Sequence, residues 1–253
     1  MSVVIPVLDE VDNVGPLAGE IGRALDATRF AGRYEIVFVD DGSTDGTAAA
    51  LADLAAGPLP LRVLRHDRPH GQSAAIRAGV AAARGGWIVT LDGDGQNDPA
   101  DIPALLDARD RAEGPVPGLV GGLRVDRHDS VSRKWASRLA NGLRGRMLGD
   151  DCPDTGCGLK LFRRDVFLEL PRFRAVHRFL PALFRIHGER TVYVPVGHRA
   201  RRAGRSKYGN LKRGAVGVVD LLGVYWLARR GVVARAEEVE IDRADGLEDD
   251  AAE

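Results

Sequence analysis

Sulfur and aromatic side chains are scarce in this chain. It has two cysteines, two methionines and 6% aromatic residues over 253 positions. Two thiols cannot build a disulfide framework, and they fit a reducing compartment. A surplus of one charge is also missing. Lys+Arg 36 equals Asp+Glu 36, so no bulk charge points to nucleic acid. No basic segment precedes Val3-Val4-Ile5, so a secretory leader is not expected. The longest apolar run, Ala215 to Ala228, is about one half to two thirds of a spanning helix and is broken by Asp220. No G-x-G-x-x-G follows the first apolar run, which disfavours a dinucleotide Rossmann site.

What is present describes a globular chain. Hydrophobic residues make up 44% and charged residues 28%, enough for a substantial core. The even charge balance hides an asymmetry. Seven cations and no acid lie between Arg199 and Arg213, which calls for an anionic partner. Acids dominate from Ala236 to Glu253, and residues 232–253 are expected to form an acidic, disordered tail.

Apolar runs and helical patterns alternate along the first two thirds. Strands are predicted at Val3–Val7, Glu35–Val39, Leu61–Leu64, Trp87–Leu91 and Leu119–Val120. Helices are predicted at Val14–Ala27, from a Thr44 or Asp45 cap through Ala56, and at Gln72–Ala83 and Pro99–Arg111. This order implies an α/β fold, a mostly parallel sheet with helices on both faces, and a ligand at the carboxyl ends of the strands. No internal repeat or linker divides the chain, so residues 1–231 are expected to form one domain.

The Asp-rich segments fall at those strand ends. In Asp92-Gly93-Asp94, carboxylates separated by one residue can point to the same side, and the glycines let the backbone approach a ligand. Oxygen ligands with room for phosphate suit Mg²⁺ or Mn²⁺. Asp40-Asp41-Gly42-Ser43-Thr44-Asp45 is partly a capped turn, and Asp40 or Asp41 can accept hydrogen bonds from a base and a ribose. The stretch from His70 through Gly71 and Ser73 to Arg77 opens a helix of small residues, whose N-terminus favours a nucleotide phosphate.

These segments resemble glycosyltransferase family 2, which has the GT-A fold. The resemblance rests on Val4-Ile5-Pro6-Val7-Leu8-Asp9-Glu10, Val39-Asp40-Asp41-Gly42-Ser43-Thr44-Asp45 and Asp92-Gly93-Asp94-Gly95-Gln96-Asn97-Asp98-Pro99. Two later segments agree: Asp154-Thr155-Gly156-Cys157-Gly158-Leu159-Lys160-Leu161-Phe162-Arg163 and Gly204-Arg205-Ser206-Lys207-Tyr208-Gly209. The third motif is similar to the dolichyl-phosphate mannose synthase and bacterial polyprenyl-phosphate glycosyltransferase branch. Arg205 departs from the Glu that often stands there, which makes the site more basic.

The resemblance implies inverting, metal-dependent transfer of a sugar from a UDP- or GDP-sugar to a polyprenyl phosphate at the cytoplasmic membrane face. It implies that Pro6, Leu8 and Glu10 line the nucleotide site and that Asp40 or Asp41 touches the base. Asp92, Asp94 and Gln96 would hold Mg²⁺ or Mn²⁺ and the donor diphosphate. It divides the domain into a nucleotide-sugar half, about 1–122, and an acceptor half, 123–231.

A lipid phosphate needs cations, and Arg124, Arg133, Arg138, Arg201 and Lys207 are the candidates, with Arg124, Arg138 and Arg201 favoured. Val131–Leu148 and Gly214–Arg230 carry apolar stripes with flanking cations. Each suits either a membrane surface, with or without a small membrane-protein partner, or the core. Cys152 and Cys157 are expected as free thiols in or near the core, and His177 as a border of the acceptor site or a structural residue. Three other readings stay open: a family 2 enzyme with a hydroxyl acceptor in cell-envelope glycan synthesis, a sugar nucleotidylyltransferase, and a non-catalytic nucleotide-sugar-binding module.

Overall fold

The computed structural model describes residues 1–125, 142, 144–150, 152–200 and 210–232, and of 210–216 the backbone alone. Seven strands form one sheet. They are β1 (Ser2–Val7), β2 (Glu35–Asp40), β3 (Leu61–Arg65), β4 (Trp87–Thr90), β5 (Leu119–Arg124), β6 (Lys160–Arg163) and β7 (Thr191–Val196), in the order β3-β2-β1-β4-β6-β5-β7. All pairings are parallel except those of β6, which runs antiparallel to both β4 and β5. Six strands therefore deliver their carboxyl ends to one edge, and β6 delivers its amino end there.

Helices cover both faces, as the alternation of β1 to β4 with helical segments requires. One face holds α1 (Val11–Asp26), α2 (Thr47–Ala55) and α4 (Ile102–Asp110). Its core is built from Val3, Ile5, Leu17, Ile21, Phe38, Leu51, Leu105 and Leu161. The other face holds α3 (Gln72–Ala82), α5 (Arg164–Glu169), α6 (Leu180–Ile186) and α7 (Asn210–Arg230). Its core includes Val4, Val39, Ile76, Val80, Phe162, Phe167 and Phe184. Alternate residues of each strand point to opposite cores, so β1 divides into Val3, Ile5, Val7 and Val4. The exposed Asp12, Arg23 and Asp26 of α1 and the packed Leu17, Ile21 and Leu25 give that helix its single apolar stripe.

The expected elements are present, with shifted ends. The first helix begins at Val11 rather than Val14. The second begins at Thr47, with left-handed Gly46 at its N-cap and no side-chain cap there. Thr44 and Asp45 are therefore not its caps, although the Asp45 carboxylate accepts the Thr47 N–H at 3.0 Å. Strand β5 runs on through Gly121 and Gly122 to Arg124. A side chain at either glycine would meet Tyr193, Val196 or Cys157, so the apolar signal lapses where the packing is tightest. Cys152 and Cys157 are buried free thiols, as expected.

Candidate active site

The loops at the carboxyl edge are braced against one another. Leu8, Asp9 and Glu10 leave β1 with Asp9 in the left-handed region at φ 51°. That strain is held by its contacts. The Asp9 N–H donates to Ser43 Oγ at 2.8 Å, and its carboxylate accepts the Thr44 N–H at 2.7 Å. Glu10 is partly buried and accepts from Asn13 Nδ2 at 2.5 Å. Pro6 and Leu8 are partly buried beside it.

Asp40 and Asp41 serve the backbone around them. Asp40 is fully buried; its Oδ1 accepts the Ser43 N–H at 2.9 Å, and Arg65 lies 3.3 Å from its Oδ2. The Asp41 carboxylate gathers the loop after β3. It meets His66 Nδ1 at 2.7 Å and accepts the N–H groups of His70 at 2.9 Å and Gly71 at 2.7 Å. Gly71 is at φ 95°, which turns the chain into α3. The first residues of α3 then reach two neighbours. Gln72 Nε2 donates to Asp92 Oδ1 at 2.7 Å, and Ser73 Oγ meets His177 Nδ1 at 2.8 Å.

Asp92, Gly93 and Asp94 follow β4 at the middle of this edge. Gly93 lies against Val7 and the Pro6 carbonyl, where a Cβ would meet a Val7 methyl at 2.5 Å. Asp94 is buried, and its Oδ1 accepts the Gln96 N–H at 3.1 Å. The Asp92 N–H donates to Asn97 Oδ1 at 3.0 Å, and the Arg199 N–H to the Gln96 carbonyl at 2.9 Å. Arg199 also pairs with Asp98 at 2.5 Å and Glu20 at 2.8 Å, which fastens the loop to the segment after β7. The Asp92 carboxyl is pushed above the ordinary carboxylate range, first by burial and then by the charge of Asp94. Lys160, the Gln72 hydrogen bond and Arg124 pull the other way.

Residues of the later half close the far side. Arg124 at the end of β5 grips Asp154 through both arms of its fork, Nε to Oδ2 at 2.7 Å and Nη2 to Oδ1 at 2.8 Å. Burial works against the charge of Arg124, but the hydrogen bonds and charge of Asp154 prevail and hold its pKa above the ordinary value. The backbone from Gly156 to Gly158 then passes behind both sites. A Cβ on Gly156 would sit 2.9 Å from Arg124 Nη2, and one on Gly158 would sit 2.5 Å from Asp92 Cγ.

The edge therefore gathers Pro6, Leu8, Glu10, Asp40, Asp41, Gly71, Ser73, Asp92, Asp94, Gln96 and Arg124. Arg133, Arg138, Arg201 and Lys207 lie outside the described residues, as does most of Val131–Leu148. Three participants were given no role of their own in the sequence, although each lies in a segment singled out there: Gln72, Asp154 and Lys160. For Lys160 a cue exists, since it is a lysine between Leu159 and Leu161 in an apolar strand, and lysine is rarely buried without a reason.

Among the described residues no group of three or more His, Cys, Asp or Glu could hold a metal by itself. No helix there is long and apolar enough to cross a membrane. Helix α7 carries apolar residues on both its packed and its exposed side. Val224 is buried, with Leu221 and Tyr225 packed on the core, while Val218, Val219, Leu222 and Trp226 are exposed.

The family model described as "Glycosyl transferase family 2" matches residues 2–170. Curated relatives include a dodecaprenyl-phosphate galacturonate synthase of Rhizobium johnstonii, 38% identical over 90% of this chain and 67% of the relative. An undecaprenyl-phosphate 4-deoxy-4-formamido-L-arabinose transferase of Edwardsiella ictaluri is 39% identical over 84% of this chain and 64% of its own length. The chain thus spans about two thirds of the length of these relatives.

Solved structures with the same fold include glucosyl-3-phosphoglycerate synthase of Mycobacterium tuberculosis in complex with Mn²⁺, UDP and glucosyl-3-phosphoglycerate. It has a TM-score of 0.63 and 23% identity, covering 92% of this chain and 80% of that one. Mannosyl-3-phosphoglycerate synthase of Rubrobacter xylanophilus has a TM-score of 0.64 and 21% identity, covering 95% and 77%.

Proposed function

Because this chain belongs to glycosyltransferase family 2, we propose that it transfers a sugar from a nucleoside diphosphate to the phosphate of a long polyprenyl lipid. The observation that carries this reading is the pairing of Arg124 with Asp154 at the edge that presents Asp92 and Asp94. An enzyme that acts on a hydroxyl needs a carboxylate to take the proton. Among the described residues, Asp154 is the acid that meets Arg124 at this edge, and both its oxygens lie in the guanidinium fork. A phosphate monoester is already ionised near neutral pH and needs no base. The named activities of the relatives, transfer to dodecaprenyl and undecaprenyl phosphate, support the same acceptor.

The donor's nucleoside would lie along Pro6, Leu8, Glu10 and the Asp40–Asp41 turn, with the start of α3 at Gly71 and Ser73 facing its phosphates. The oxygens of Asp92, Asp94 and Gln96 fit Mg²⁺ or Mn²⁺. They are hard donors, and the protein contributes few of them, which leaves positions for diphosphate and water. When bound, such an ion neutralises charge on the departing nucleoside diphosphate. Burial next to Asp94, which raises the Asp92 carboxyl, is a further sign that this pair suits a cation.

The chain's own residues set the geometry of transfer. A phosphate oxygen of the acceptor attacks the anomeric carbon on the face opposite the diphosphate. The new C–O bond forms as the bond to the diphosphate oxygen breaks, so the configuration inverts. Arg124 steers the lipid phosphate, with Arg133, Arg138, Arg201 and Lys207 as further cations. We read residues 1–122 as the donor half, 123–231 as the acceptor half and 232–253 as an acidic tail. The exposed Val218, Val219, Leu222 and Trp226 of α7, followed by Arg229 and Arg230, suit the surface of an anionic membrane.

A screen of UDP- and GDP-sugars against undecaprenyl phosphate, with Mg²⁺, Mn²⁺ or EDTA, tests the reading. Metal-dependent formation of a lipid-linked sugar phosphate with one of these donors is expected. Full activity in excess EDTA would remove the metal from the account.

A further inference from the structure

Lys160 is nearly fully buried, 4% exposed. Its Nζ donates to the Cys157 carbonyl. The strand register explains where that puts the charge. Thr90 lies opposite Lys160 in the antiparallel β4–β6 pair. Continued by two residues, the register sets Asp92 opposite Gly158, and the close approach of Gly158 to the Asp92 carboxyl bears this out. Thr90 and Asp92 project from one face of the sheet, and so do Gly158 and Lys160. Lys160 is thus the diagonal cross-strand neighbour of Asp92, about 7–8 Å away at the backbone and within reach of a long side chain.

The fixed position of this ammonium has a second support. Thr90 Oγ1 donates to the Gly158 carbonyl at 3.0 Å, so the turn that receives Lys160 is also tied to β4. Gly158 brings no side chain between the two charges. The field of Lys160 accordingly reaches Asp92 and counts among the influences that favour its ionised form.

We propose that Lys160 is a positioning residue of the donor site: a built-in cation that attracts the donor's diphosphate and weakens binding of a divalent metal arriving alone. This rests on the reading of Asp92 and Asp94 as the metal and diphosphate site. A fixed positive charge acts in opposite directions on the two partners. It repels free Mn²⁺ and attracts a diphosphate. The site then fills in a preferred way, with metal and nucleotide together rather than metal first.

The test uses Lys160→Met, which keeps the length and apolar stem of the side chain and removes the charge. Mn²⁺ binding without nucleotide is followed by electron paramagnetic resonance, and UDP and GDP binding in EDTA by calorimetry. Relative to the wild type, Mn²⁺ alone should bind about fivefold or more tighter, and the metal-free nucleotide about fivefold or more weaker. Lys160→Arg should restore both values.

A role confined to stability predicts that both affinities fall together or that neither changes, and either outcome overturns the inference. If Lys160→Met does not fold, Lys160→Gln, which retains a donor for the Cys157 carbonyl, is judged by the same opposed shifts. Failure of the wild type to bind nucleotide even with Mn²⁺ present would instead sink the donor-site reading, so the two failures are distinguishable.

Discussion

On the proposed reading, side chains at the site divide into those that would meet ligands and those that hold them in place, and Asp94 falls in the first group. Its Oδ1 accepts the Gln96 N–H, and asparagine retains an oxygen for that bond while losing the charge. Asp94→Asn should therefore fold with an unchanged melting temperature and lose about a hundredfold or more in kcat, the scale of a lost electrostatic contact at a reacting group. Asp92 and Asp94 were legible in the sequence because they are two residues apart at the end of an apolar strand. Their support was not. Gln72 meets Asp92 from 20 residues away, and Asp154 meets Arg124 from 30 residues away. Nothing local encodes such pairs, since each depends on how loops from different strands meet at one edge. The same holds for Asp41, whose carboxylate reads as a base contact in the sequence and in the fold gathers His66, His70 and Gly71.

Among the elements, strands with continuous apolar runs were the easiest to read. Strand β6 went unread because its four residues include Lys160 and Arg163, and β7 because Pro195 interrupts its pattern. Helix α7 presented two readings, core or membrane surface, and the fold packs one side of it and leaves the other exposed. Val224 packs inward at 1% exposure while Trp226 stays 62% exposed. Replacing Leu222 and Trp226 together by serine should leave the melting temperature near that of the wild type, since neither side chain is in the core. Partition onto vesicles of phosphatidylglycerol and phosphatidylcholine should fall by about tenfold or more, given about 1.5–3 kcal/mol for each large apolar side chain withdrawn from water. The variant is checked by flotation, and unchanged binding would assign the membrane contact to another part of the chain.

At the scale of the whole molecule, the two edges of the sheet have different tasks. The carboxyl edge carries the site. At the amino edge Glu35 acts as a clasp, accepting from Ser2 Oγ at 2.6 Å, the Arg84 N–H at 2.6 Å and Arg62 at 2.7 Å. Burial works against its charge, but these donors outweigh it and hold its pKa below the ordinary 4.5. A depressed carboxyl stabilises the fold above its unfolded-state value and loses that contribution as pH falls through the folded one. Glu35→Gln should therefore cost about 1–3 kcal/mol at neutral pH. Urea titrations should show the gap to the wild type closing only once the pH drops below the usual glutamate range. The acceptor is the central claim for the molecule as a whole, and one measurement addresses it directly. With the preferred nucleotide-sugar and metal, undecaprenyl phosphate is compared with the free polyprenol, and the products are examined for the anomeric configuration of the sugar. The account predicts a phosphate-linked, inverted product from the phosphate and none from the alcohol. Efficient glycosylation of the alcohol would contradict it.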